Sequence, residues 1–239
     1  MIWAEQVTVN SHDCDVNSIL RPTGVMRLMQ EAASDHLYAV GRGESELRAD
    51  DRAFIVSTIS FDVIKPIMMR DKLRVKTWEA GSRGVKFMRY YTVERDGETI
   101  AGGECVCALV EISTGKLMRV DCDALWNSKA ETAVYTPELN PHFITDSHAT
   151  FTDAGDFSVS YSFIDRNDHM NNTCYADMFY GAVPGHDEKR LSSMAISYVR
   201  SAHLGDVLGL SYYERDGVYY MRSCFADGTV NATAKVKLT

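Results

Sequence analysis

The chain has 239 residues, 45% of them hydrophobic and 24% charged, with a formal net charge of −8. That is material for one large domain or two small ones, each able to bury a core. The acidic balance disfavours a nucleic-acid partner, which would need a basic surface. No apolar run approaches the ~20 residues of a membrane helix, and the start, Met1-Ile2-Trp3-Ala4-Glu5-Gln6, lacks the basic start and apolar core of a signal peptide. No membrane insertion is expected, and a cytoplasmic location is. The cysteines (Cys14, Cys105, Cys107, Cys122, Cys174, Cys224) contain no CxxC pair, Cys105-x-Cys107 is too tight for a usual zinc half-site, and the histidines show no HExxH. No metal is expected, and the thiols read as buried or half-buried.

In chain order, the first predicted element is a helix. Pro22 suits its start and Gly41 a place just past its end, and between them Val25, Leu28, Met29, Ala32, Ala33 and Leu37 form one apolar stripe. Strands follow. Ile59, Phe61 and Val63 alternate with Thr58, Ser60 and Asp62, and Leu73, Val75 and Thr77 alternate with Lys72, Arg74 and Lys76. Asp96-Gly97 supplies a hairpin turn. Residues 105–112 are apolar almost throughout and read as a central strand covered on both faces. The stretch 127–146 is rich in Pro, Asn, Ser and Thr without a period, and a linker is assigned to 131–147. Residues 157–164 read as another strand. A second helix is predicted over about 172–182, stopped by Gly181 and Pro184. Strand candidates then occupy 194–199, 207–213, 218–225 and 230–238, with Asp227-Gly228 at the last turn.

These elements repeat. Gly84-Val-Lys-Phe-Met88-Arg89 is echoed by Gly217-Val-Tyr-Tyr-Met221-Arg222, residues 61–71 match 196–206 without a gap, and Asp15-Val-Asn17 matches Asp165-Arg-Asn167. An ordered series of matches points to one unit used twice, over 1–130 and 148–239. Each unit is a helix followed by an antiparallel meander, an α+β plan in which a sheet curls around the helix.

Where the predicted strand 157–164 hands over to the second helix stands Asp165-Arg-Asn167-Asp-His169-Met-Asn171-Asn172-Thr-Cys-Tyr175. It concentrates an acid, a carboxamide and an imidazole at i, i+2 and i+4, followed by two more amides and a phenol. Such groups are costly to bury unless something uses them. A helix start also offers free backbone N–H groups to a developing oxyanion.

At these residues the chain resembles the hotdog fold, and specifically the acyl-acyl carrier protein thioesterases of plant plastids and their bacterial relatives. Their signature resembles D-x-N-x-H-x-N-N-x-x-Y, matched here by Asp165, Asn167, His169, Asn171, Asn172 and Tyr175. Gln30-Glu31-Ala32-Ala33, Lys65-Pro66 with Asp71, and Thr77-Trp78 resemble the family in the first half. The resemblance implies a tandem (double) hotdog in one cytoplasmic chain, each unit a helix wrapped by an antiparallel sheet. It implies hydrolysis of the thioester between a fatty acyl chain and the phosphopantetheine arm of acyl carrier protein, releasing free fatty acid and ending fatty acid synthesis. No metal or organic cofactor is implied. A homodimer is compatible with the sequence.

The chain departs from the family in two places. The position matching His169 in the first half is Ile19, and those matching Asn171 and Asn172 are Arg21 and Pro22. One active site per chain is therefore expected, in the second half, with the first half as scaffold and acyl-chain pocket. The family's catalytic Glu, with the Cys beside it in the plant enzymes, falls on Ser201 and Ala202 here. An acyl-CoA thioesterase and a non-catalytic acyl-binding protein are the other readings, the latter resting on the missing Glu.

Thioester hydrolysis needs an activated water, donors for the carbonyl oxygen and a held substrate. An imidazole, with a free pKa near ~6.5, exchanges a proton at neutral pH, so His169 is expected nearest the water or thiolate. Against its being a mere cap stands Ile19 in the other half. Asn167 suits a donor role, although Asn17 persists in the first half and an Asx turn would explain both. Asp165 is expected to orient His169 or act as base. Asn171 and Asn172 read as helix caps at the substrate, and Tyr175 as packing beside it. Cys174 reads as a buried thiol, and His203 as a residue near the vacant Glu position that could support catalysis together with Ser201. Val25, Met26, Met29 and Ala33 are the expected acyl-pocket lining.

Overall fold

A computed structural model describes residues 1–119, 131–142 and 149–239. Pro22 opens helix α1 (Pro22–Ala39), whose Val25, Met26, Met29, Ala32 and His36 are buried. A short helix α2 (Glu44–Ala49) follows, burying only Leu47. The strands of the first half are β1 (Trp3–Thr8), β2 (Arg52–Val63), β3 (Lys72–Arg83), β4 (Lys86–Arg95) and β5 (Glu98–Glu111). The second half holds β6 (Thr152–Ser158), helix α3 (Cys174–Gly181), β7 (Leu191–Tyr198), β8 (Val207–Arg215), β9 (Val218–Cys224) and β10 (Val230–Leu238). Asp96 and Gly97, both at positive φ, turn β4 into β5, and Asp216 and Gly217 do the same between β8 and β9.

All the described strands join one ten-stranded sheet in the order β1-β3-β4-β5-β2-β7-β10-β9-β8-β6. The second five repeat the first five in mirrored order, as a duplicated unit requires. The seam is the antiparallel pair β2–β7, running from Thr58 opposite Ser197 to Asp62 opposite Ser193. On one face α1 and α3 bury a continuous core that includes Met26, Met29, Phe61, Phe179, Met194 and Ile196. The helix starts are tied together: Thr23 Oγ1 donates to Thr173 O at 3.0 Å, and the Thr23 backbone N–H donates to Asp177 Oδ1 at 2.9 Å.

The described part of the linker, residues 131–142, is a strap over the other face. Trp78 Nε1 on β3 donates to Ala133 O at 2.8 Å, Tyr135 OH donates to Asp62 Oδ2 on β2 at 3.1 Å, and Ser197 Oγ on β7 donates to Pro141 O at 2.7 Å. A side chain on Gly102 would put its Cβ 2.4 Å from the Tyr135 ring, so β5 needs glycine there. The remainder of the predicted linker, and Cys122, lie outside the described residues.

Two predicted boundaries move. The strand expected over 157–164 ends at Ser158, and Tyr161–Phe163 forms a 3₁₀ turn. The first half does the same at Ser11–Asp13, because the chain must leave the sheet to reach the next helix. The second helix begins at Cys174, not near 172, since Asn171 Oδ1 accepts from the Thr173 N–H at 2.9 Å and Thr173 Oγ1 at 2.8 Å and holds the entry turn. Among the described residues no helix is long and apolar enough to cross a membrane, and no cluster of His, Cys, Asp or Glu is placed to hold a metal ion.

Candidate active site

The motif loop is built on backbone bonds and one carboxylate. The Asp165 N–H donates to His169 O at 2.8 Å, the Asp168 N–H donates to Asp165 O at 3.1 Å, and Asp165 Oδ1 accepts from the Asn167 N–H at 2.7 Å. Asp168 sits at φ 61°. The first half copies this loop closely: the Asp15 N–H donates to Ile19 O at 2.8 Å, the Asn17 N–H to Asp15 Oδ1 at 2.8 Å, and Ser18 sits at φ 62°. The aspartate therefore makes an Asx turn in both copies. In the second half the contact between Asp165 and His169 runs through the backbone.

The two loops differ in what they carry. His169 is half-buried, and its ring meets that of His203 edge to face with centroids 4.7 Å apart. His203 Nδ1 lies 2.9 Å from Asp168 O. A carbonyl only accepts, so Nδ1 carries the proton and Nε2 holds the free lone pair of the neutral ring. In the first half the equivalents of this pair are Ile19 and Met68, which meet in an isolated β-bridge. Ser201 is exposed in the loop after β7, and the neighbouring Ala202 O accepts from the Met170 N–H at 2.8 Å, which sets the motif loop beside the one bearing His203.

Asn167 is exposed, and Arg48 of α2 donates to its Oδ1 at 2.5 Å. Arg48 also donates to Glu44 Oε1 at 2.7 Å, and Glu44 is ion-paired with Arg166. With its oxygen held from behind, the carboxamide keeps its N–H₂ for another acceptor.

Asn172 brings the motif to a cavity. It lines that cavity with Met26, Met29, Ala33, Ile59, Cys105 and others of the first half. Its carbonyl accepts from Tyr198 OH at 2.8 Å, and Tyr198 packs edge to face on Tyr175 at 5.3 Å. Tyr175 is buried in the core, and its OH accepts from Asn231 Nδ2 at 3.1 Å, so it braces the site from behind and does not line the cavity. His169 is likewise outside the cavity lining. Asn171 borders a different groove beside Thr173 and Cys174. Val25 also departs from the expected lining. One residue before Met26 it lies about 100° around the helix, and it faces a separate cavity with Ile19, Pro22 and Tyr180. Burial pushes the Cys174 thiol up in pKa, which suits packing and not nucleophilic attack.

The cavity wall carries polar groups that no periodicity marks. Glu79 and Arg89 are ion-paired and buried, and Arg89 Nη1 lies 3.1 Å from both Thr77 Oγ1 and His36 Nδ1. Burial, and then the Arg89 charge, lower the pKa of His36 to about 4. Cys105 and Cys107 face the same space with sulfurs 3.5 Å apart. Tyr198, Asn231 and Arg48 escape sequence reasoning because each reaches the motif across the sheet or from the other half.

Residues 1–126 match the acyl-ACP thioesterase N-terminal domain, and residues 147–236 match the acyl-ACP thioesterase C-terminal domain. The fold is shared over 100% of this chain with an acyl-ACP thioesterase from Bacteroides thetaiotaomicron, at 19% identity, TM-score 0.86 and 98% of that chain. It is shared equally with the 12:0-ACP thioesterase from Umbellularia californica, at 20% identity, TM-score 0.81 and 97% of that chain. No curated protein matches the chain by sequence. With the domain matches covering both halves of a double hotdog, the chain belongs to the acyl-ACP thioesterase family, and is a hydrolase of the thioester of fatty acyl-acyl carrier protein.

Proposed function

We propose that the chain holds one catalytic site, at the second-half motif, and that His169, Asn167 and His203 carry the reaction there. The carrying observation is the contrast at one position of a duplicated loop: His169 against His203 in one copy, Ile19 against Met68 in the other. Backbone scaffolding is common to both copies and needs no imidazole.

In this reading the thioester carbonyl lies against the Asn167 N–H₂, whose oxygen Arg48 holds. His169 takes a proton from the attacking water as the tetrahedral intermediate forms, and the thiolate of the phosphopantetheine arm leaves, taking up that proton. His203, two residues along the chain from the vacant Glu position at Ser201, offers its Nε2 lone pair as a base. Asp165 shapes the turn, and Ser201 is too exposed and too weak a base to replace a carboxylate. The acyl chain extends past Asn172 into the first-half cavity lined by Met26, Met29 and Ala33. A cytoplasmic setting fits the free thiols of Cys14, Cys105, Cys107, Cys174 and Cys224.

The test is free-acid release from acyl-carrier thioesters by the wild type, His169→Ala, His203→Ala and Ile19→Ala. General-base help is worth roughly 10²–10⁴-fold, so His169→Ala should lose that much turnover while Ile19→Ala keeps its rate. Near-normal turnover in His169→Ala would overturn the assignment.

A further inference from the structure

The duplicated fold makes the same backbone joint twice and surrounds it with different side chains. Ile100 stands three residues after Gly97, as Asn231 stands three after Gly228. Ile100 O accepts from the Ile64 and Lys65 N–H groups at 2.9 and 3.1 Å, and Asn231 O accepts from the Val199 and Arg200 N–H groups, both at 3.0 Å. Ile67 O accepts from the Leu20 N–H at 2.8 Å, as Ala202 O does from the Met170 N–H. In the first half the joint is aliphatic: Ile100, Val25 and Val93 are buried and Val63 is half-buried. Their counterparts in the second half are Asn231, Tyr175, Ser223 and Tyr198, with Ser223 opposite Ala232 as Val93 is opposite Ala101. Asn231 and Ser223 are wholly buried. Both amide protons of Asn231 are used: Nδ2 donates to Arg200 O at 2.5 Å and to Tyr175 OH at 3.1 Å. Its Oδ1 accepts from Ser223 Oγ at 2.8 Å.

Polar groups are costly to bury, and a hydrogen-bonded pair is often no more stable than apolar side chains of the same shape. The first half shows that this backbone closes without them. The polar set stands in the copy that carries the imidazoles, and its ends fall on the segments that bear them. Arg200 O lies in the loop after β7 that delivers His203, while Tyr175 and, through Tyr198 OH, the Asn172 carbonyl belong to the motif of His169. On the reading that His169 and His203 carry the reaction, we infer that Asn231 is a positioning residue for hydrolysis. Its carboxamide locks the His203 loop to the motif and so fixes the ring contact between the two imidazoles, whose centroids are 4.7 Å apart. Ser223 sets the direction of the amide. Its hydroxyl accepts from the Ala232 N–H at 3.1 Å, and the nearer of its two acceptors is Asn231 Oδ1, at 2.8 Å against 3.3 Å for Ala232 O. With Oδ1 so engaged, both Nδ2 protons turn toward the loop and the phenol.

The deciding experiment has two arms on the full chain. The main variant combines Tyr175→Phe, Ser223→Val and Asn231→Ile, which copies the apolar character of the first half and strands no buried side-chain group. In one arm kcat and KM are measured on acyl-carrier thioesters. In the other, nitrogen NMR of the imidazoles reads the tautomer of His203, which the wild type holds with its proton on Nδ1 against Asp168 O. The variant should melt near the wild type, with kcat lower by about tenfold to a hundredfold and KM within about twofold. Its His203 signals should average between the two tautomers. Ile100→Val, at the mirrored joint, should leave both kcat and the His203 signals as they are. Should the combined variant not fold, Ser223→Ala leaves Asn231 Oδ1 without its donor and should show the same averaging with a several-fold loss of kcat. An unchanged His203 tautomer overturns the inference whatever the rate, and so does an equal loss of kcat in Ile100→Val. Averaged tautomers with an unchanged kcat support the positioning role and remove the two imidazoles from the chemistry instead.

Discussion

Ser60 and Ala195 face each other across the β2–β7 seam, and each is the other's equivalent in the repeat. The pairs on either side obey the same rule: Ile59 meets Ile196 and Phe61 meets Met194, and the repeat exchanges one pair for the other. A local twofold therefore passes through Ser60 and Ala195, and whatever sits there meets its own copy. Ser60 is buried, and its hydroxyl has no hydrogen-bond partner among the described residues. An unmade buried bond costs about 1–3 kcal/mol, whereas alanine already fits at the mirrored position. Ser60→Ala should raise thermal stability by about 1 kcal/mol with turnover unchanged, read from denaturant unfolding and steady-state rates.

The Arg48–Asn167 bond joins a first-half helix to the second-half motif. Arg48 is exposed, so its loss should cost the fold less than about 0.5 kcal/mol. The amide it orients would be freed to rotate. If Asn167 holds the carbonyl as proposed, Arg48→Met should lower kcat about tenfold with KM little changed, because a small misplacement of such a group is expensive. Equal kcat in the variant would detach α2 from the chemistry.

Asp15 and Asp165 separate scaffold from reaction. Asp15 Oδ1 accepts from the N–H groups of Asn17 and Ile19, at 2.8 and 2.9 Å, in a loop without an imidazole. Asp15→Ala should therefore reduce stability by about 1 kcal/mol and spare turnover. Asp165→Ala should cost a similar amount of stability and also slow hydrolysis, since the turn that places His169 is lost. Melting temperatures and rates of the two variants, side by side, check this.

His36 adds a pH dependence of known sign. Its folded pKa is about 4, lowered first by burial and then by Arg89, against ~6.5 for a free imidazole. Between those values the unfolded chain binds a proton that the folded one does not. Stability is then whole above about pH 6.5, falls as pH drops toward 4 and levels off below, by up to about 3 kcal/mol. Wild type should lose more stability over that window than His36→Gln, measured as the difference between their unfolding curves. Parallel curves would mean that the ring is protonated in the fold.

Much of the architecture was legible because its constraints are local. Gly84 and Gly217 recur in the repeat because both positions need positive φ, at 68° and 73°. The stripe on α1 follows from one buried face, although its true centre lies a step away and includes Met26 and His36. Residues 157–164 misled because Phe157, Val159, Phe163 and Ile164 are apolar whether they end a strand or line the turn after it. The helix α2 is too short to show a period. At the candidate site the motif itself was readable, being contiguous. Arg48, Tyr198 and Asn231 were not, because a contact made across a sheet leaves no spacing in the chain. The ring contact of His203 with His169 was hidden in the same way, since a loop after β7 delivers it.

The strap over the outer face has a further consequence. It makes the two units halves of a single molecule instead of interchangeable partners. Severed within the strap, each fragment would bare one long strand, β2 or β7, as an open edge seeking a mate. Two copies of the later fragment, joined edge to edge, would carry twin imidazole loops yet lack the long α1 groove. Two copies of the earlier fragment would own the groove twice and the imidazole never. On the proposed assignment, reactivity and reach are inherited separately, and covalent continuity brings them together.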